Sequence, residues 1–315
     1  MSPSPIQVTV SRIESLTPVI KEFTLTAQDR ALPGFSPGSH IQLQLPTPSR
    51  TLKNAYSLLS DPADLSCYRI AVRLQESSRG GSRYLHERVR EGDHLQITPP
   101  ANLFAPSSRA QHHILIAGGI GITPFMAYRT EMLRQGISHE LHYAYTGGLT
   151  HAYVEALQPA PNGQVTTYDS RRGERMSIEQ ILSGQPLGAQ VYICGPERLL
   201  QAVQQTAADL GWPEARLHWE AFAAPEPGQP FQVHLARQDK TLAVGADESL
   251  LEALEASEID LPNLCRGGVC GQCVTPYLSG QVEHRDNYLP PSDQSRALMP
   301  CVSRGACNST LVLDL

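Results

Sequence analysis

At 315 residues, 41% of them apolar and 18% charged, the chain is long enough for two or three domains with cores of their own. A formal net charge of −6 without any Lys/Arg run argues against a nucleic-acid partner and fits, if anything, a basic protein. No apolar run has the length of a membrane span, and Met1-Ser2-Pro3-Ser4-Pro5 lacks a signal-peptide core, so a cytoplasmic protein without a membrane partner is expected.

Residues 6 to about 105 read as strands. Ile6–Ile13, Ile20–Thr26, His40–Leu45, Tyr68–Leu74 and His94–Thr98 are short apolar-alternating runs between Pro/Gly punctuation, with one helix around Ser82–Val89. Evenly spaced short strands predict a small antiparallel β-barrel. From His112 the pattern changes. His113–Ala117 is a continuous apolar strand, followed by a glycine turn and a helix from Pro124 to about Arg134. Strand-like Glu140–Tyr145, Val165–Tyr168 and Gln190–Cys194 alternate with helical Ile178–Leu182 and Glu197–Leu210, which predicts an α/β parallel sheet. A proline-rich stretch, 224–230, reads as a linker. Phe231–Leu315 then holds short strands and one helix, Ser249–Ala256. The expected domains are 1–106, 107–224 and 231–315, with 225–230 between the last two.

The densest chemical signal is near the C-terminus. Cys265, Cys270 and Cys273 form C-x4-C-x2-C, and Cys301 follows on a distant segment, the plant-type spacing for a [2Fe–2S] cluster. Gly267, Gly268 and Gly271 let the loop wrap closely and aim backbone N–H groups at sulfur. A zinc knuckle usually pairs its ligands as two C-x2-C units, and a disulfide needs an oxidising compartment. Cys67, Cys194 and Cys307 remain as free thiols. Cys67 reads as a core residue, and Cys307 is an alternative to Cys301 as fourth ligand.

The second signal is Ala117-Gly118-Gly119-Ile120-Gly121-Ile122-Thr123-Pro124, between a strand and a helix. Such a turn admits a phosphate to the backbone, with Thr123 as N-cap and Pro124 at the first helical position. Proline replaces the third glycine of G-x-G-x-x-G, and no acidic residue closes the strand at Tyr145, so this is not the usual dinucleotide fingerprint. A glycine turn is often only structural. Cys194-Gly195-Pro196 nevertheless ends another strand and opens another helix, and two such turns make a nucleotide crevice at the carboxyl ends of the sheet. A third signal pairs Asn54-Ala55-Tyr56-Ser57 with Arg79-Gly80-Gly81-Ser82. An aromatic and a hydroxyl suit a flavin ring, and glycines before a helix suit its phosphate, although each alone reads as packing or a turn. The histidines, including His112, His113, His142 and His151, show no metal spacing. Arg171-Arg172 is either a 2′-phosphate grip or a solvated turn.

In this order the motifs resemble the phthalate dioxygenase reductase family over essentially the whole chain, with Trp219-Glu220-Ala221-Phe222, Cys301-Val302-Ser303-Arg304 and Leu311–Leu315 adding to the match. The segment Asn54–Asp61 is most similar to reductases of carnitine-type monooxygenases. The resemblance implies a multidomain oxidoreductase: FMN barrel, NAD domain, and C-terminal β-grasp ferredoxin-like domain. Its expected task is electron transfer from NADH through FMN and the [2Fe–2S] cluster to a Rieske-type oxygenase, as a monomer. It also implies that Tyr56 and Ser57 contact the isoalloxazine, with Asn54, Ala55, Ala71, Val72 and Arg79 around the flavin and Gly80, Gly81 and Ser82 at its phosphate. Thr123 would lie near the ring. Gly118, Gly119 and Gly121 would face the pyridine nucleotide, Cys194, Gly195 and Pro196 the nicotinamide, and Glu220 and Phe222 the flavin end of the crevice. Tyr56, Ser57, Thr123, Cys194 and Glu220 are thus the expected catalytic set, and Cys265, Cys270, Cys273 and Cys301 the metal ligands. The family's flavin motif begins with arginine where this chain has Asn54; Arg79, Arg83 and Arg50 are the cations available to take its place. The rivals are an FAD-containing ferredoxin reductase, a non-enzymatic iron–sulfur redox sensor and a structural zinc module.

Overall fold

The computed structural model describes residues 4–27, 31–47, 51–76, 79–222, 227–307 and 309–315. The chain divides after Phe222 into two compact units. Arg50 and residues 223–226, which include the start of the expected linker, lie outside the described residues.

The N-terminal unit begins with alternating apolar strands that bury one face. They are β1 (Ile6–Thr17), β2 (Ile20–Thr26), β3 (Ser39–Pro46), β4 (Thr51–Ser57), β5 (Cys67–Arg73), β6 (His94–Ile97) and the two-residue β7 (Ala101–Asn102), with α1 (Gly81–Glu87) after β5. The antiparallel order is β4-β3-β6-β1-β2-β5. Just past β4, the Leu59 N–H donates to the Arg69 carbonyl of β5 at 3.0 Å, so the two ends of the sheet meet and the barrel closes. Val8, Val10, Phe23, Leu25, Ile41, Leu43, Leu45 and Ile70 fill it.

The second half of this unit is a parallel sheet of order β10-β9-β8-β11-β12. Its elements are β8 (His112–Gly118), α2 (Thr123–Gln135), β9 (His139–Tyr145), β10 (Gly163–Asp169), α3 (Ile178–Leu182), β11 (Ala189–Cys194), α4 (Glu197–Asp209) and β12 (Leu217–Glu220). Because side chains alternate along a strand, Leu115, Ala117, Tyr192 and Cys194 pack with α2 on one face, while Ile114, Ile116, Val191 and Ile193 pack with α3 and α4 on the other.

The C-terminal unit orders β14 (Lys240–Val244), β13 (Phe231–Leu235), β19 (Thr310–Leu313), β15 (Thr275–Ser279) and β17 (Ala297–Leu298) in one sheet, with β13 and β19 parallel at its centre. Val282–Glu283 (β16) pairs separately with Arg304–Gly305 (β18). Helix α5 (Leu250–Ala256) packs Leu250, Ala253 and Leu254 on the sheet. Ser249 caps it: its side chain accepts from the Glu252 N–H, and the Glu252 carboxylate accepts from the Ser249 N–H. This is a β-grasp arrangement. Residues of the expected linker are tied into it, since the Gly228 N–H donates to Ala246 O at 3.0 Å and Arg304 donates to Gln229 O at 3.1 Å.

Candidate active site and metal centre

The parallel strands bring three of the expected residues into one row. Ala117 of β8, Cys194 of β11 and Glu220 of β12 are register partners at the carboxyl ends of adjacent strands. The crevice rule for open parallel sheets puts ligands at these ends. From the barrel, Ser57 at the end of β4 reaches the same place, its hydroxyl 3.3 Å from the Glu220 carboxylate. The Cys194 thiol is fully buried. Burial, then the Glu220 charge, holds its pKa well above the usual thiol value, so it is a neutral S–H at pH 7.

The two glycine turns pack backbone to backbone. A Cβ on Gly121 would fall 2.2 Å from the Cys194 carbonyl oxygen, one on Gly118 would fall 2.7 Å from the Pro196 ring, and one on Gly195 would fall 3.0 Å from Gly118 N. These glycines are therefore demanded by turn-against-turn packing. Gly119 is different: its φ is +56, and a Cβ there would come no closer than 3.8 Å to Thr150, so packing does not demand a glycine at this position. The N-cap expected at Thr123 is not formed. A 3₁₀ turn, 119–122, already winds into α2, Ile122 occupies the cap position, and Thr123 is the first helical residue with Pro124 second. The buried Thr123 hydroxyl donates to Ile120 O at 3.0 Å.

In the barrel, Asn54 and Tyr56 lie on one face of β4, and the Asn54 amide donates to the Tyr56 hydroxyl at 3.3 Å. Burial pushes the Tyr56 pKa up to about 12 against the opposing effect of that hydrogen bond, so the phenol is neutral. The Asn54 amide also covers Gly81, where a Cβ would meet it at 2.3 Å. Gly80 is left-handed, at φ 116, and has no side chain with which to cap α1. Asn54, over Gly81, and the α1 amides fit a flavin phosphate, and the half-buried Arg79 immediately precedes Gly80 in the chain. The buried Ser82 hydroxyl accepts from the Gln75 N–H at 3.2 Å. Ala55 is exposed, whereas Ala71 and Val72 are buried in β5. Arg83 is exposed and pairs with Glu87 at 4.0 Å. Phe222 is 41% exposed just beyond β12.

Sequence reasoning passed over one polar contact between the halves. Glu22 of β2 is buried and accepts both Arg69 nitrogens, at 2.7 and 2.8 Å, and the Tyr153 hydroxyl at 2.6 Å. Cys67, expected in a core, is only half-buried at the start of β5. Arg171 and Arg172 sit exposed on a turn whose N-cap, Asp169, accepts from Arg171 N and Gly147 N at 2.9 Å each.

In the C-terminal unit the four cysteines come together in pairs. The Cys273 and Cys301 sulfurs are 3.3 Å apart, and the Cys265 and Cys270 side chains hydrogen-bond each other. Each pairing lowers one thiol, Cys265 or Cys273, because the partner S–H stabilises its thiolate. Among the described residues, no group of three or more His, Cys, Asp or Glu surrounds a single ion position. A two-iron cluster takes two thiolates at each iron, which this arrangement fits, whereas zinc gathers four ligands about one point. Gly268 (φ +76) lies under Val302 and the Asp286 backbone, and Gly271 (φ +74) under the Tyr288 ring, so neither tolerates a side chain. Cys301 is 1% exposed, whereas Cys307 is exposed.

Residues 94–217 match the model of the dimethylamine monooxygenase subunit DmmA-like N-terminal domain, and residues 233–307, with all four ligands, match the 2Fe-2S iron-sulfur cluster binding domain. The heme-dependent oxidative N-demethylase beta subunit of Ectopseudomonas mendocina is 56% identical over 98% of this chain and 99% of its own. The carnitine monooxygenase reductase subunit of Escherichia coli is 42% identical over 98% of each. Phthalate dioxygenase reductase, a modular structure for electron transfer from pyridine nucleotides to [2Fe-2S], aligns over 100% of both chains with a TM-score of 0.87 and 29% identity. The chain belongs to the phthalate dioxygenase reductase-like family and is an oxidoreductase of the kind that serves oxygenase systems.

Proposed function

We propose that the chain takes electrons from NADH at FMN in its N-terminal unit and passes them through a [2Fe–2S] cluster in its C-terminal unit to an oxygenase component. The observation that carries this reading is the Ser57–Glu220 contact, in which the barrel motif and the strand ends of the parallel sheet share one crevice. Bound flavin supplies the conversion between a two-electron hydride donor and a one-electron acceptor. The chain's own residues position and exclude. Tyr56 and Ser57 border the ring, and Gly80, Gly81 and Ser82 the phosphate. Gly119, with the turn Cys194-Gly195-Pro196, borders the nicotinamide nucleotide, and Phe222 covers the flavin end. Thr123 and Cys194 contribute neutral hydrogen-bonding groups in a water-poor pocket. The corresponding domains are 1–106, 107–224 and 231–315.

Anaerobic NADH should bleach overlapping flavin and iron–sulfur absorption together. Bleaching of flavin alone would remove the cluster from the relay, and indifference to NADH would favour a redox sensor. Chromatography of acid-released flavin separates FMN from FAD.

For the partner we favour a heme-dependent N-demethylating oxygenase, supported by the relative at 56% identity. A Rieske-type oxygenase is the second reading, supported by the carnitine monooxygenase reductase relatives and the phthalate dioxygenase reductase fold. Stopped-flow mixing of the reduced protein with each oxygenase type, followed at the heme or Rieske bands, tells them apart. The 93 residues from Ala223 onward hold 12 Asp/Glu against 6 Lys/Arg, while the first 222 hold 19 of each. All of the net charge thus sits on the cluster unit, and the transfer rate should fall with salt if that unit docks on a basic face. A cytoplasmic monomer completes the proposal, to be checked by fractionation and light scattering; no helix of the described residues is long and apolar enough to cross a membrane.

A further inference from the structure

A buried ion pair meets the cysteine loop directly after its first ligand. Arg266 is only 8% exposed and holds φ 51, a left-handed conformation that disfavours non-glycine residues. Something must hold it there. Its guanidinium donates to Glu255 of α5 through both nitrogens, at 2.6 and 3.0 Å, and to Asn263 Oδ1 at 3.2 Å. Asn263 is itself anchored, donating to Leu261 O at 2.9 Å. A planar fork gripped at both nitrogens fixes orientation as well as charge.

What this fixes is the backbone that follows. The Gly267 N–H donates to Cys265 Sγ at 3.4 Å, and the N–H groups of Val269 and Cys270 point at the same sulfur. Donors to a ligand sulfur withdraw charge and favour the more negative, reduced cluster, so they raise its potential.

We propose that Arg266, gripped by Glu255, is a positioning residue that locks residues 266–270 in the conformation aiming three N–H groups at Cys265, and thereby raises the reduction potential of the cluster. The proposal rests on the iron–sulfur reading of the four cysteines. A buried ion pair is a weak net stabiliser compared with an apolar pair of the same size. Geometry is therefore the property that this pair supplies and that a Leu–Met contact would not.

The test is a redox titration of the cluster in the full-length protein, read by EPR, for wild type, Arg266→Met, Arg266→Lys and Glu255→Gln. Two irons per chain and a visible cluster spectrum in wild type establish the underlying reading; their absence defeats that reading rather than this proposal. The sign of the shift then decides. A through-space charge effect lowers the potential when the cation is removed and raises it when the carboxylate is neutralised. A positioning role lowers it in both. We expect Arg266→Met and Glu255→Gln each to move the equilibrium with a reference dye about tenfold toward oxidised cluster, about 59 mV for a one-electron couple, with Arg266→Lys between them and wild type. Should Arg266→Met fail to retain iron, the other two variants are read alone. Opposite signs, or unchanged potentials at full iron content, overturn the proposal.

Discussion

The Ser57 hydroxyl lies 3.3 Å from the Glu220 carboxylate across 163 residues of sequence, joining the end of a barrel strand to the end of a parallel one. Glu220 also raises the Cys194 thiol, second to burial. Ser57→Ala and Glu220→Gln should each slow flavin reduction by NADH about tenfold, or ~1.4 kcal/mol of barrier, while the bound-flavin spectrum persists. Anaerobic stopped-flow absorbance measures this, and wild-type rates in both variants would remove the pair from the active site.

The Tyr153–Glu22 hydrogen bond links the sheet half to the barrel through a buried carboxylate. Tyr153→Phe should lower stability by about 1.5–3 kcal/mol, the usual range for a bond to a charged group. Urea unfolding gives the value.

Gly121 and Gly119 separate packing from ligand approach. Gly121→Ala drives a methyl into the Cys194 backbone, which cannot swing aside, and should cost about 3 kcal/mol or more in protein without nucleotide. Gly119→Ala meets no close neighbour and should cost about 1–2 kcal/mol for its left-handed φ alone. Thermal melts with and without NADH resolve the two cases.

Two variants decide the fourth ligand. Cys301→Ser should abolish the cluster absorption, and Cys307→Ser should leave iron content and spectrum unchanged, because only the former sulfur is buried beside Cys273.

Several histidines of the N-terminal unit are held neutral. Burial is the largest cause that lowers the pKa of His86, His112, His113, His139 and His218. The unfolded chain then binds more protons than the folded one near and below the ordinary histidine value of about 6.5. Stability from these groups is therefore fully present above that value and declines as pH falls below it. Melting temperature should drop between about pH 7 and pH 5, and His139→Gln should flatten the slope. A slope that does not change with this substitution would count against His139 as a contributor.

The cysteine loop was legible because its chemistry is local, with spacing and glycines within nine residues, whereas Cys301, expected as fourth ligand from the family resemblance, lies on a distant segment whose burial no local pattern reports. Strands β8 and β11 of the parallel sheet were legible because both their faces are covered and their runs are nearly continuously apolar. Gly118 and Gly121 read as places where a nucleotide meets the backbone; that the second glycine turn packs on them had no local signal, since it lies more than seventy residues on. β7 and β12, of two and four residues, are too short to show a period. The Glu22–Tyr153 bond had no sequence signal at all, as a glutamate in one strand and a tyrosine 131 residues away form no motif.

Cys273 and Cys301 are separated by 28 positions, and as ligands of a bound cluster they would close that span as a covalent crosslink does. By the chain-entropy relation used for disulfides, closing a loop of this size removes conformational freedom from the unfolded chain worth about 3–4 kcal/mol. Loss of iron thus reaches beyond the redox centre: β15 and β17, which lie between the two sulfurs, would be held only by their own few hydrogen bonds and side-chain packing. Protease sensitivity of this stretch would then serve as a gauge of how much of the protein carries its metal.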